Sequence, residues 1–567
     1  MEKIMVSLRD YRVLKGFALP VILISSTIML TVLLVTITTT STVRNSLFSQ
    51  NYDAIAKSAS ESGLAYAQAC IEKNGGGITS RWTESNPLKP DTDCSGIPIT
   101  TCASQPFYDA CHYVLSNDYA SDDDSNPNLV STFEVTGSVK FQSIFNGYYY
   151  ACAVDVSGIV YCWGMNNTGQ LGTNSTIHSS KPVPVYTLDT PMENKTIKSI
   201  SADYSHTCAL DTAGAVYCWG NNGYGRLGNN STTQSLVPVA VTTAGTPMAG
   251  KTIQAISTGE YHTCALDTAG AVYCWGYNDN GQLGNNSTTQ SLVPVAVTTA
   301  GTPMTGKTIQ AISTGDHHTC ALDTAGAVYC WGSNEYGQLG DNSRIQSLIP
   351  IKVYVSGIKI TDYRYKQISG GDSHTCALDT AGAVYCWGSN KYGQLGNNST
   401  THSRVPATVT TAGTPMAGKT IQAISVGQFH TCALDTAGAV YCWGNNNYGQ
   451  LGNNSSTNSL VPATVTTAET PMAGKTIQAI SAGYYHTCAL DTAGAVYCWG
   501  YNVYGQLGNN STTTHSRVPV AVTTAGTPMT GKTIQAISVG YYHTCALDTA
   551  GAVYCWGSNS YGKLGNN

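Results

Sequence analysis

The segment HTCALDTAGAVYCWG occupies residues 206–220 and runs directly into NNGYGRLGNNS at 221–231. Variants of this signature recur eight times, and successive first cysteines are 56 residues apart six times and 57 once. Self-similarity at such a period marks a repeat architecture in which each copy is one supersecondary unit. Within a copy, CALD and AVYCWG read as short strands. DTAG between them reads as a tight turn, with Asp first and Gly last. PVAVTT and TIQAIS supply two more strands, the former opened by a proline in each copy (Pro182, Pro238, Pro294, Pro350, Pro406, Pro462, Pro519). Four strands per repeat make one propeller blade. The expected fold is therefore mainly β: a seven- or eight-bladed β-propeller of about 56-residue repeats over 141–567, preceded by a long N-terminal α-helix. Eight signatures favour eight blades, the first taking its outer strands from residues 129–144. A piece of a longer array is the alternative.

Composition agrees with β-structure rich in tight turns. Only 11% of residues are charged, while Gly (58) and Tyr (35) are abundant. The net charge of -5 supplies no basic footprint for nucleic acid, so no nucleic-acid partner is expected. Sixteen of the twenty cysteines fall in pairs ten apart: Cys152 with Cys162, Cys208 with Cys218, Cys264 with Cys274, Cys320 with Cys330, Cys376 with Cys386, Cys432 with Cys442, Cys488 with Cys498, and Cys545 with Cys555. Each pair is symmetric about its turn, which places the two residues opposite one another across the hairpin, within disulfide reach. Zinc is the rival reading, but its ligands usually come two to four residues apart. Disulfides imply an oxidising, extracytoplasmic location. Each closed loop contributes about 3 kcal/mol by chain entropy before strain is subtracted. The pairing of Cys70, Cys94, Cys102 and Cys111 is open.

The G-x-x-H-T, A-V-Y-x-W-G and G-Q-L-G elements closely resemble the repeat of the regulator of chromosome condensation family, over about 141–567. The resemblance implies a closed propeller, typically of seven blades, so eight signatures depart from the family's count. Its best-known activity, nucleotide exchange on a small GTPase bound to chromatin, is one functional reading. A secreted enzyme inhibitor built on the same fold is another.

A second pattern precedes the array. Residues 1–16 carry a net side-chain charge of +2, and Phe17–Ile37 holds no charged residue. As a helix this run spans a bilayer core, with the positive flank cytoplasmic and the rest exported. Lys15-Gly16-Phe17 resembles a prepilin-peptidase site, with cleavage between Gly16 and Phe17. The helix to about residue 75 resembles that of minor pilins and pseudopilins, although Val21 stands where most subunits carry Glu. An uncleaved single-span anchor is the plainer alternative. The domain plan is a leader (1–16), a membrane or pilin-like helix (17–75), a cysteine-containing linker or small β region (76–140) and the propeller. Asp118, Asp122, Asp123, Asp124, Asn126 and Asn128 lack the Gly and Glu of an EF-hand loop, so they read as a solvated acidic loop rather than a calcium site.

No nucleophile–base pair or phosphate loop stands out, so neither enzymatic activity nor a cofactor is expected. The repeated histidines (His206, His262, His318, His374, His430, His486, His543) and tryptophans read as structural rather than as a metal ring or a sugar platform. Two windows vary between otherwise identical hairpins. One lies just before the His (Asp203-Tyr204-Ser205, Glu260-Tyr261, Asp316-His317, Asp372-Ser373, Gln428-Phe429), and the other follows Trp-Gly. Both fall at the hairpin end opposite DTAG, so they share one face of the disc. Tyr484, Tyr485, Tyr501, Tyr541 and Tyr542 are the ligand-face candidates, since tyrosine supplies amphipathic contact area at low entropic cost. The expected role is a surface-exposed binding or adhesion protein, anchored in the membrane or associated with pilus subunits, with an extracellular protein or glycan ligand.

Overall fold

A computed structural model describes residues 139–354 and 364–566. The leader, Gly16 and Phe17, the apolar helix, the linker cysteines and the acidic loop at 118–128 lie outside the described residues. Among the described residues no helix is long and apolar enough to cross a membrane.

Residues 139–567 form one compact unit of eight sheets. In blade 2 the strands are Ile197–Ala202, His206–Asp211, Val216–Gly220 and Ser235–Ala240, hydrogen-bonded in sequence order. Among the described residues seven blades have four strands each and the eighth has three, Ile534–Val539, His543–Asp548 and Val553–Gly557. The first strands of neighbouring blades touch all round the ring, and that of blade 8 meets that of blade 1. Phe141 N also donates to Gly551 O at 2.7 Å. The ring is closed and eight-bladed.

Three expectations need correction. Residues 141–146 form the innermost strand of blade 1, not an outer one. Among the described residues the eighth sheet has three strands rather than four. The outermost strands begin three residues before their proline, as in Ser235–Ala240 with Pro238 in its interior. Proline is tolerated there because an outermost strand has one unpaired side.

Alternation within each hairpin explains the packing. Cys208, Leu210, Val216 and Cys218 of blade 2 project onto Ala265, Tyr273 and Trp275 of blade 3, all of them buried. The same cluster recurs at every interface, including the closing one, where Cys545 and Leu547 meet Ala151, Ala153 and Trp163. The core is thus eight apolar sandwiches rather than one central mass.

The cysteine pairing expected from the ten-residue spacing is the one the hairpins adopt. In blades 1 to 4 the register sets Cys152 opposite Cys162, Cys208 opposite Cys218, Cys264 opposite Cys274, and Cys320 opposite Cys330. In blades 5 to 8 it sets Cys376 opposite Cys386, Cys432 opposite Cys442, Cys488 opposite Cys498, and Cys545 opposite Cys555. All eight pairs are disulfide-bonded, with Cα atoms 4.1 Å apart. Fifteen of these sixteen residues are buried; Cys555, in the three-stranded blade, is only partly so.

Candidate binding face

The motif residues that looked chemically suggestive are bolts between blades. Trp219 donates its indole N–H to Gln170 O of the preceding blade at 2.9 Å. Around the ring the pattern repeats to Trp163, which donates to Lys563 O at 3.0 Å. The second glycine of each GQLG turn lies flat on the next blade's indole. A Cβ on Gly228, whose φ is +67°, would sit 2.8 Å from Trp275 Nε1. The tryptophans are buried at these interfaces, and only Trp556 of blade 8 is partly exposed.

The histidines do comparable work. His262 Nε2 bonds Thr319 Oγ1 of the next blade at 2.8 Å, and that hydroxyl donates in turn to Gln282 O at 3.0 Å. Burial pushes the imidazoles far below their ordinary pKa, His262 to about 3 and His318 to about 4. They are therefore neutral hydrogen-bonding groups. Each DTAG aspartate forms its turn, as Asp211 Oδ1 accepts from Ala213 N at 2.9 Å and Ala215 N at 2.8 Å. Asp211 Oδ2 also accepts from the Tyr217 hydroxyl at 3.0 Å.

The two variable windows are joined by backbone hydrogen bonds. Asn221 N donates to Ser205 O at 2.9 Å and Tyr501 N to Tyr485 O at 3.0 Å. All eight copies therefore present both windows on the face opposite the DTAG turns. The structure brings the five candidate tyrosines into one aromatic sector. Ring centroids are 4.3 Å apart for Tyr484 and Tyr485, 4.4 Å for Tyr484 and Tyr541, and 4.0 Å for Tyr541 and Tyr542. Tyr501 joins through Tyr485 and Tyr542 at 5.8 and 5.7 Å. The sector extends further than the sequence suggested. Tyr148 of blade 1 stacks on Tyr541 of blade 8 at 4.0 Å and touches Tyr204 at 4.7 Å. The sector thus covers blades 7, 8, 1 and 2 and straddles the closing seam.

That seam differs chemically from the other interfaces. Ala151 replaces the bridging threonine, so neither ring nitrogen of the buried His543 has a hydrogen-bond partner. Lys563 replaces the usual Gln and is wholly buried, with Nζ 4.9 Å from the Tyr149 ring centroid and 5.9 Å from that of Tyr542. Burial lowers its ammonium to about 8.

A second feature went unread in the sequence. At the centre of this face the mouth of the ring holds a cavity of about 260 Å³. One wall is Tyr148, Tyr484 and Tyr541; the other carries Asp203, Asp316 and Asp372, with Glu260 alongside. Burial, followed by repulsion among these carboxylates, raises Asp316 to about 8 and Asp203 to about 7. Asp372 rises to about 6, again chiefly through burial, and accepts a hydrogen bond from Gln428. These residues stand in the same varied windows as the tyrosines. Among the described residues no cluster of His, Cys, Asp and Glu has the geometry of a metal site.

Comparison with known proteins gives this geometry a family. The model for the RCC1-like domain matches residues 108–363 and 346–567. The chain belongs to the RCC1-like domain family. The ultraviolet-B receptor UVR8 of Arabidopsis thaliana is 33% identical over 369 residues, covering 65% of this chain and 78% of the receptor. The human E3 ubiquitin-protein ligase HERC2 is 30% identical over 393 residues, 69% of this chain but only 8% of the ligase. Among solved structures, Prp20p of Saccharomyces cerevisiae superposes with a TM-score of 0.53 at 22% identity, covering 70% of this chain and 91% of that one. Human WBSCR16 superposes with a TM-score of 0.51 at 24% identity, over 62% and 88% respectively. At those identities the two structures speak for the RCC1-like fold alone.

Proposed function

We propose that this RCC1-like chain is a non-catalytic, surface-presented binding protein. Its N-terminal apolar helix anchors it in a membrane or a pilus-type filament, and its disulfide-stapled propeller turns the variable face towards an extracellular protein or glycan. The observation that carries the reading is the distribution of variation. Seven of the eight hairpins share one sequence where they make blade contacts, and the two windows that vary between copies lie on one face, where their tyrosines build a continuous aromatic sector. Sixteen half-cystines, all paired, favour an oxidising compartment.

Membership of the family favours a second reading, a regulator of the nucleotide-exchange type. The solved Prp20p structure is described together with its binding to Gsp1p and histones. The disulfides weigh against that setting, because cytosolic and nuclear thiols are kept reduced.

Compartment separates the two. Protease added to intact cells is expected to degrade the propeller, and full protection until lysis would overturn the surface reading. Replacing Tyr484, Tyr485, Tyr501, Tyr541 and Tyr542 with Ser is expected to abolish attachment of intact cells to the protein or glycan surface they adhere to. Because Tyr541 supports the closing seam, the milder pair Tyr501→Ser with Tyr504→Ser serves as a companion. Tyr504 is 45% exposed and stands at the rim. Unchanged attachment in both variants would refute the face assignment.

A further inference from the structure

We infer that the mouth of the ring is a receptor for an organic cation, an arginine or lysine side chain carried on a protruding segment of the partner. Its charged head would enter between the carboxylate wall and the tyrosine wall. This deepens the binding-face reading above and rests on it.

Three observations lead there. The half-buried carboxylates of blades 2 to 5 crowd round the mouth without an ion pair among the described residues. The nearest described cation, Arg226, is already engaged, donating to Ser205 Oγ at 3.2 Å and Glu260 O at 3.0 Å between the rings of Tyr224 and Tyr261. Acidic groups in such a setting gain most from a cation that also donates hydrogen bonds. The second observation is independent of charge. Two acceptor oxygens of cavity-lining residues, Asn146 Oδ1 and Gln428 Oε1, are buried with no hydrogen-bond partner. A buried orphan acceptor is costly and calls for a donor. The third is the opposite wall, lined by Tyr148, Tyr484 and Tyr541, because tyrosine rings attract a guanidinium or ammonium. The volume of about 260 Å³ suits a side-chain head rather than a folded element. A planar guanidinium fits the combination better than an ammonium, because it donates in several directions and stacks on aromatic rings.

The test uses the full chain in non-ionic detergent micelles and titrates it calorimetrically with acetyl-Gly-Arg-Gly-amide. The neutral citrulline analogue is the control. Saturable binding of the arginine peptide, at least tenfold tighter than the citrulline peptide, is the expected result. Asp316→Asn with Asp372→Asn is expected to weaken it about tenfold or more, and Tyr484→Leu to weaken it severalfold. Equal binding of the two peptides, or binding untouched by the double Asn variant, would overturn the proposal. So would saturable binding of Ca²⁺ that depends on Asp316 and Asp372 while the arginine peptide stays unbound. The Asn variants keep shape and remove crowded charge, so their melting temperature should match or exceed that of the parent. If the peptide fails while the tyrosine variants still abolish attachment, the mouth proposal falls and the binding face stands.

Discussion

The blade bolts make a quantitative claim, and Trp443→Phe tests it most directly. Trp443 is wholly buried, and its indole N–H reaches Gln394 O at 3.0 Å. The carbonyl it serves does not become an orphan in the variant, because Thr431 Oγ1 still donates to it at 3.0 Å. The lost hydrogen bond should therefore cost only its net worth, about 1 kcal/mol. The smaller ring leaves a void against Gly396 and the disulfide-bearing face of blade 5, adding about 1–2 kcal/mol on the scale of core truncations. The total is about 2–3 kcal/mol, read as a lower urea midpoint at unchanged slope with the disulfides intact. Trp556→Phe is the internal control. It breaks the equivalent bond to Gln506 O, but at a partly exposed site in the three-stranded blade, so it should cost clearly less. A loss below about 0.5 kcal/mol for Trp443→Phe, or an equal loss at both sites, would refute the bolt argument.

Mass spectrometry of non-reduced digests should find each cysteine of the array linked within its own repeat; cross-repeat links or free thiols would break the hairpin register. Sequencing of the purified protein should begin at Phe17, whereas an intact Met1 would leave a plain single-span anchor. Stability should depend on pH from two sides. The buried histidines have lowered pKa values, so the folded state binds fewer protons than the unfolded chain between about 3 and the ordinary imidazole value, and stability falls on acidification through that range. The crowded aspartates have raised values, so the folded state holds more protons between the ordinary carboxyl range and about 8, and stability falls as pH rises there. Asp316→Asn should flatten the decline between the ordinary carboxyl range and about 8 in a melting-temperature profile and leave the profile below the ordinary carboxyl range unchanged.

The sequence disclosed the blade because one hairpin is written eight times, and comparison among copies separates what packs from what varies. The cysteine pairing was legible for the same reason: a spacing of ten is centred on one residue of the turn, Ala213 in blade 2, and sets the two cysteines directly opposite. Radial position was not legible. TIQAIS and SLVPVA both alternate, and nothing in an alternating strand says whether its free edge faces the central channel or the rim. Residues 141–146 were misplaced on that account. The tyrosine sector could be read in part, since Tyr484 and Tyr541 stand in a visible window. That Tyr148 completes it depends on ring closure, which joins residues 393 apart in the chain. The carboxylate wall had a signal, an acidic residue in the first window of four successive blades. It passed unread because charges in a variable loop look solvated until the loops are seen to converge on one mouth.

The joints between blades all point the same way. Asn230, at φ +59°, reaches forward to Leu292 O, Asn286 to Leu348 O, Asn398 to Leu460 O, and the tryptophans reach back to complete the same joint. Every blade therefore offers its successor the surface that its predecessor offered it. A gene encoding such a chain can gain or lose one 56-residue unit by unequal recombination, and each surviving blade still meets a neighbour it fits. What such an event alters is the angle each joint must subtend and the set of side chains brought round the mouth. In a molecule of this kind, changing the number of copies recomposes the recognition surface in a single genetic step while the packing chemistry stays as it was.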